Sequence, residues 1–218
     1  MTVKRKSLVI AGAGGFGRET LDVLRASDPN GSTWDFIGFV SDKEPDLTVL
    51  ERIGTTWLGP IDSFLAMARE IYFVVAVGDP IARRLIANKF EKCGFRPAIL
   101  IHPRAVMGAD VHIGEGSIIC SNVSITTNVR IGNHVHVNLN STIGHDVRIA
   151  DFVTINPLVA ISGNVNIETD SQLGTHSAVL QGLRIGAGSV VGAGAAVTKD
   201  VELGKTVVGV PARPLPAN

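Results

Sequence analysis

Two hydrophobic rhythms divide this chain. From Ile101 onward an aliphatic residue recurs every six positions: Ile101, Met107, Ile113, Ile119, Ile125, Ile131, Val137, Ile143 and Ile149, then Ile155, Ile161, Ile167, Leu173, Val179, Ile185, Val191 and Val197. Two positions ahead of many of these stands a valine or a small residue, as at Val123, Val129, Val135, Ser141, Val147 and Val153. Glycine often follows, as at Gly108, Gly114, Gly132, Gly144, Gly174, Gly186 and Gly192. A six-residue period fits neither an α-helix nor a coiled coil. An unbroken internal repeat of this kind predicts a solenoid. Each hexad supplies a short strand and a corner, and three hexads close one prism-shaped coil of eighteen residues. Coils stack at the interstrand spacing of roughly 4.8 Å. Residues eighteen apart are therefore expected to be neighbours.

Before Ile101 the rhythm is different. "KSLVIAGAGGFGRETLDVLRA" reads as a strand, a glycine loop and a helix, and "WDFIGFVSDKEP" as a second strand ending in a polar turn. "DSFLAMARE" is helical in pattern, "IYFVVAVGDP" is a buried strand, and "IARRLIANKFEKCG" is an amphipathic helix. Strands alternating with helices predict a small parallel α/β sheet. The change of rhythm in "RPAILIHPRA" puts the domain boundary between residues 1–99 and 100–218.

Composition narrows the class. The 218 residues hold 45% apolar but only 5% aromatic side chains, so the cores must be aliphatic. Formal net charge is zero and no Lys/Arg cluster stands out, which argues against nucleic acid or an acidic membrane as partner. The apolar run after the basic start is short and broken by glycine, unlike a signal peptide. No stretch approaches a membrane span, so the expectation is a cytoplasmic protein without membrane insertion. Cys93 and Cys120 are too few for a disulfide framework or a metal cluster and read as reduced thiols.

The glycine loop is the first candidate site. Gly12, Gly14 and Gly17 match G-x-G-x-x-G after a strand and before a helix, with Gly15 and Phe16 inside the loop. Such a loop lets backbone approach a phosphate, and the helix start offers N–H groups. Asp42 and Lys43 end the next strand, and Gly78 and Asp79 end the third apolar strand, at the same carboxyl-end crevice. About a hundred residues are too few for the usual two-halved NAD fold. A nucleotide-linked sugar is the favoured ligand, with NAD or a purely structural turn as alternatives.

"STIGHD" supplies the second candidate, because His145 and Asp146 interrupt nothing in the aliphatic beat yet carry chemistry. With the glycine loop and the repeat, it makes the chain similar to the sugar O-/N-acyltransferases of the sialic acid O-acetyltransferase (NeuD) family. Within that family the chain most resembles the PglD-type nucleotide-aminosugar N-acetyltransferases. The likeness runs through "VIAGAGGFGRE", "LIHPRAVMGADVHIGEG", "VVGAGAAVTKDV" and "TVVGVPARPL". The resemblance implies a small Rossmann-like domain followed by a left-handed parallel β-helix of hexapeptide repeats, assembled as a homotrimer. It implies acetyl-CoA between neighbouring β-helices and a nucleotide-linked amino sugar in the glycine-rich domain. It gives His145 the role of general base and Asp146 that of its supporting acid, where several relatives have glutamate. It sets Thr154 where some relatives have a second histidine, with its hydroxyl against CoA. It sets Phe16 where certain relatives have a histidine.

The chemistry can be argued beside the likeness. Acetyl transfer to an amine needs a base near neutral pH and a donor for the developing oxyanion. Eighteen residues past His145 stands Gly163, which leaves room beside the imidazole and offers an N–H to the thioester oxygen. Gln181 and Gly182 continue that corner as a path for the pantetheine arm, and Arg213 is a candidate for a CoA phosphate. Neither cysteine falls in the expected groove with a base beside it, which argues against an acyl-cysteine route. Three alternatives stay open. A sugar or sialic acid O-acetyltransferase would use the same residues. A zinc site of the β-helical carbonic anhydrase kind would use His134 and His136, although stacking shows no third ligand. A sugar-nucleotide-binding scaffold would not need His145. His112 and His176 read as corner residues and His102 as a cap of the first coil. No metal is expected.

Overall fold

A computed structural model describes residues 5–67 and 71–216. The first part holds β1 (Lys6–Ala11), α1 (Gly15–Ser27), β2 (Trp34–Val40), α2 (Leu47–Arg52), α3 (Ile61–Met67), β3 (Tyr72–Val75), α4 (Pro80–Lys92) and β4 (Arg96–Pro97). The four strands form one parallel sheet in the order β2-β1-β3-β4. Leu8, Val9, Ile10 and Ala11 are all fully buried. A strand covered on both faces has no polar side to alternate with, which is why "LVIA" is a continuous apolar run. Helix α2 follows the expected polar turn, in a stretch for which the sequence pattern predicted no element. It has only six residues, too few for an amphipathic stripe, and is started by Asp46, whose carboxylate accepts from the Thr48 and Val49 N–H groups. Helix α3 begins one residue before "DSFLAMARE"; residues 68–70 of that stretch lie outside the described residues.

From Leu100–Ile101 to Ala178–Val179 each strand of the repeat pairs in parallel with the strand eighteen residues on. The last coil is shorter, Val190 and Val191 pairing with Thr206 and Val207 sixteen residues on. Ser124–Ile125 pairs with Thr142–Ile143, which pairs with Ala160–Ile161, which pairs with Ala178–Val179. The result is a left-handed parallel β-helix of triangular section. Its first face runs from Leu100–Ile101 through His136–Val137 and Thr154–Ile155 to Arg213–Pro214. Its second runs from Val106–Met107 to Ala196–Val197, and its third from Val111–Ile113 to Arg184–Ile185. The aliphatic beat and the small residues two positions before it fill the interior together, from Ile119 and Val123 to Val201 and Val207. The first coil is the exception: Met107 is 39% exposed because no coil lies beneath it.

The edges of the prism turn through residues of positive φ. One edge uses Asn128, Asp146 and Asn164, residue types that tolerate the left-handed region. Another uses His134 and Phe152, bulkier side chains that must gain something from packing to sit there. They gain it from the N-terminal domain, which is seated on the first face and on this edge. Ile118 and Cys120 of the first face share a core with Leu8, Ile10, Leu21 and Leu24. Phe152 is buried with Phe73 and Phe90.

Candidate active site

His145 and Asp146 occupy the edge where the second face passes into the third, between Thr142–Ile143 and Arg148–Ile149. Asp146 takes the left-handed turn position, with φ of 61°. Its Oδ2 lies 2.6 Å from His145 Nδ1, and its Oδ1 accepts from Asn128 Nδ2 at 2.6 Å, one coil below. Those two hydrogen bonds, the one to His145 first, hold the Asp146 carboxyl below the usual carboxylate range. An ionised carboxylate only accepts, so Nδ1 carries the imidazole proton and Nε2 is left with its lone pair. The shorter aspartate thus makes the contact expected of an acid after the histidine.

One coil above, Gly163 lies against the ring. A β-carbon there would stand 2.5 Å from both Cε1 and Nε2 of His145, so only glycine fits beside the imidazole as it is placed. The Asn164 N–H donates to the His145 carbonyl at 2.8 Å, and the Gly182 N–H to the Gly163 carbonyl at 3.0 Å, which stacks the three turns. Among the described residues the Gly163 N–H finds no acceptor. Gln181 and Gly182 follow on the same edge and are exposed. A further step of eighteen residues leads to Lys199. It lines a cavity of about 250 Å³ at the end of the prism together with Lys205, Arg213, Asp200 and Glu202. Sequence reading proposed Arg213 but missed the two lysines, although carrying the column one coil past Gln181 would have reached Lys199.

The glycine loop abuts the other side of the prism. Gly12 has φ of 111°, and a β-carbon on it would meet the Ala76 carbonyl oxygen at 2.8 Å. Gly17 is pressed so closely on the Gly12 carbonyl that no side chain fits there. Gly14 and Gly15 are exposed, with nothing near the place of a side chain. The loop is thus tight where it folds and open where it faces a ligand. Phe16 is half-buried, its ring centred 4.8 Å from that of His136 on the first face, so it anchors the loop to the β-helix.

Three other expected residues carry structural bonds. Asp79 caps α4, accepting from the Ala82 N–H at 2.7 Å, and Asp42 accepts from the Ile61 N–H at the start of α3 at 3.1 Å. Lys43 beside it is exposed. Thr154 departs from its expected place. It is 3% exposed on the first face, and its hydroxyl donates to the Gly78 carbonyl and accepts from Arg83 Nη1. The family resemblance had set its hydroxyl against CoA, but nine residues past His145 is half a coil, which carries it to the first face, away from that edge.

His134 and His136 are also committed. His134 is 2% exposed, stacked 5.0 Å from Phe152, with Nε2 2.9 Å from Glu91 Oε1. His136 is fully buried, with Nε2 on the Val75 carbonyl and Nδ1 on Arg83 Nη1. Burial pushes both imidazoles below the usual histidine range. Among the described residues no group of three or more His, Cys, Asp or Glu side chains is placed to hold a metal ion.

Comparison with known proteins now decides the family. Residues 7–90 match the PglD N-terminal domain. Over 210 residues, 94% of each chain, the sequence is 34% identical to the GDP-perosamine N-acetyltransferase of Escherichia coli O157:H7. The chain belongs to the PglD-like sugar N-acetyltransferases. Solved structures of this family superpose closely. PerB from Caulobacter crescentus, in complex with CoA and GDP-perosamine, matches with a TM-score of 0.87 and 30% identity over 99% of this chain and all of that one. The acetyltransferase domain of PglB from Neisseria gonorrhoeae FA1090, in complex with acetyl coenzyme A, matches with a TM-score of 0.88 and 30% identity over 97% and 100%. This sugar N-acetyltransferase carries its glycine loop in the domain seated on the first face and its histidine corner on the edge between the second and third faces.

Proposed function

We propose that the protein transfers the acetyl group of acetyl-CoA to the amine of a nucleotide-linked amino sugar, with a GDP-linked 4-amino sugar such as GDP-perosamine as the first substrate to test. One observation carries the assignment: an exposed histidine, oriented by a carboxylate through Nδ1, with its Nε2 beside a glycine whose N–H is free. In the proposed reaction Nε2 of His145 takes a proton from the amine as the nitrogen attacks the thioester carbon. The oxygen of the tetrahedral intermediate gains negative charge and accepts from the Gly163 N–H. Collapse breaks the carbon–sulfur bond, and the leaving thiolate takes the proton back from His145. No bond to the enzyme forms. Burial pushes the Cys120 thiol up to about 12, and Cys93 lies at the end of α4, far from this edge in the fold.

The pantetheine arm would follow Gly163, Gln181 and Gly182 towards Lys199, Lys205 and Arg213, whose charges suit the CoA phosphates. Gly12 to Gly17, Asp42, Lys43, Gly78 and Asp79 would hold the nucleotide sugar. The topology supports a homotrimer. The glycine loop lies on the first face and His145 on the edge opposite, so an acceptor bound by one copy meets the base of another. A cytoplasmic location is part of the proposal, and two free cysteines suit that compartment. No helix is long and apolar enough to cross a membrane, among the described residues.

Thiol release from acetyl-CoA, measured with GDP-, UDP- and dTDP-linked 4-amino sugars and with free sialic acid, tests the proposal. Release with a nucleotide amino sugar, giving an amide that survives hydroxylamine, is the expected result. Release only with free sialic acid, or an ester product, would replace it with O-acetylation.

A further inference from the structure

Arg83 is the largest fully buried side chain in the protein, and the reaction as described leaves it unused. It reaches from the first turn of α4 into the seam between the N-terminal domain and the first face. Its hydrogen-bond partners there are all uncharged. Nη1 lies 2.9 Å from the Val77 carbonyl, 3.2 Å from that of Gly78, 3.1 Å from His136 Nδ1 and 3.0 Å from Thr154 Oγ1. Nη2 donates to the Phe152 carbonyl at 2.6 Å, and Nε has no partner. Burial draws the guanidinium down to about 9, which still leaves it charged at neutral pH. Asp170 and Asp79 lie near enough to favour the charge, but no carboxylate bonds to it, and apolar side chains of similar volume would seal a seam without the desolvation penalty. Its position needs another reason.

The carbonyls it holds supply one. Val77 and Gly78 form the turn between β3 and α4, at the carboxyl ends of the parallel strands, where such sheets bind ligands. The first face grips the same turn once more, Thr154 donating to Gly78 O at 2.8 Å, and holds the end of β3 before it, His136 Nε2 standing 2.9 Å from Val75 O. The turn also touches the glycine loop, since a β-carbon on Gly12 would stand 3.2 Å from a Val77 methyl. In a planar trans peptide the C=O and the following N–H point in opposite directions. Drawing the Val77 and Gly78 oxygens inward therefore turns the N–H groups of Gly78 and Asp79 outward. Among the described residues neither of these finds an acceptor, and Gly78 is exposed with open space beside it.

We propose that Arg83 is a positioning residue that sets the Gly78 and Asp79 N–H groups towards the crevice, where they receive the diphosphate of the nucleotide sugar. The proposal rests on the nucleotide-sugar reading above. It makes the β-helix part of the nucleotide site without touching the ligand.

Steady-state kinetics with each substrate varied in turn, and calorimetric titration with GDP, UDP and dTDP, test this in the full-length enzyme. Arg83→Lys and Arg83→Met should raise KM for the nucleotide sugar and weaken nucleotide binding by roughly tenfold, leaving KM for acetyl-CoA within about twofold. Thr154→Val, which removes one bond to Gly78 O at nearly constant volume, should do the same by roughly threefold. It serves if the Arg83 variants do not fold. Wild-type nucleotide affinity in folded Thr154→Val, or both KM values rising together, would overturn the positioning role. Failure of the wild type to bind any of the three nucleotides would instead overturn the reading beneath it.

Discussion

Two of the prism's edges hold their histidines in opposite ways. His134 sits at the left-handed turn position itself, closed between Gly116 below and Phe152 above. His145 stands one residue before that position, which Asp146 takes, and has Gly163 above it. At the first edge the turn N–H groups are used up: Glu115 N–H donates to the Asn133 side chain, and Asn133 N–H to Asp151. At the second edge the Gly163 N–H is left over. The first edge also receives the N-terminal domain, with Arg84 lying 4.0 Å over Phe152 and paired to Asp170 at 2.7 Å. The hexapeptide frame is the same at both. The residue one coil away decides whether the imidazole becomes a seal or a base.

Exchanging the two histidines is the strongest way to break this comparison. His145→Asn should lower kcat by roughly 10²–10⁴-fold, the usual contribution of a general base, with the melting temperature unchanged. A loss below about tenfold would take the base role away from His145. Gly163→Ala sharpens the contrast at the same edge. The added methyl must displace the imidazole, so kcat should fall by roughly ten- to a hundredfold, since misplacement by about 1 Å can cost that much. Full activity in that variant would mean that the ring has somewhere else to go.

The smallest effect belongs to the sealed edge and is read as stability against pH. His134 and His136 are held below their ordinary range when folded, while the unfolded chain titrates near 6.5. Below that pH the unfolded state binds protons that the folded state refuses. The melting temperature should therefore be flat above about pH 7 and fall as pH drops towards 5. His134→Phe, which cannot titrate, should shallow that slope while leaving activity near neutral pH unchanged. An identical slope would mean that His134 is already charged in the folded protein beside Glu91.

The β-helix was fully legible because its signal is periodic and local: each aliphatic beat reports its own inward side, and stacking eighteen residues apart follows by arithmetic. The same arithmetic put Gly163 beside His145 and His134 beneath Phe152. What stayed hidden lies where the two domains meet. No period relates Arg83 to His136 and Thr154, which are separated from it by 53 and 71 residues. Arg83 reads in sequence as one more cation on an amphipathic helix. Asp42 and Asp79 show a subtler limit, since a carboxylate at a strand's end followed by a helix serves equally as a ligand group or as a helix cap.

Stacking by whole coils also makes the protein a ruler. From His145 to Lys199 is three coil steps, roughly 14 Å along the edge at the interstrand spacing. Positions along that edge change only in increments of one coil. A chain that gained or lost eighteen residues between these points would keep its fold and its core unaltered. Its reactive corner would then stand about 4.8 Å out of step with the basic end of the prism, a mismatch no side-chain rearrangement could absorb without changing the reach of the molecule measured there.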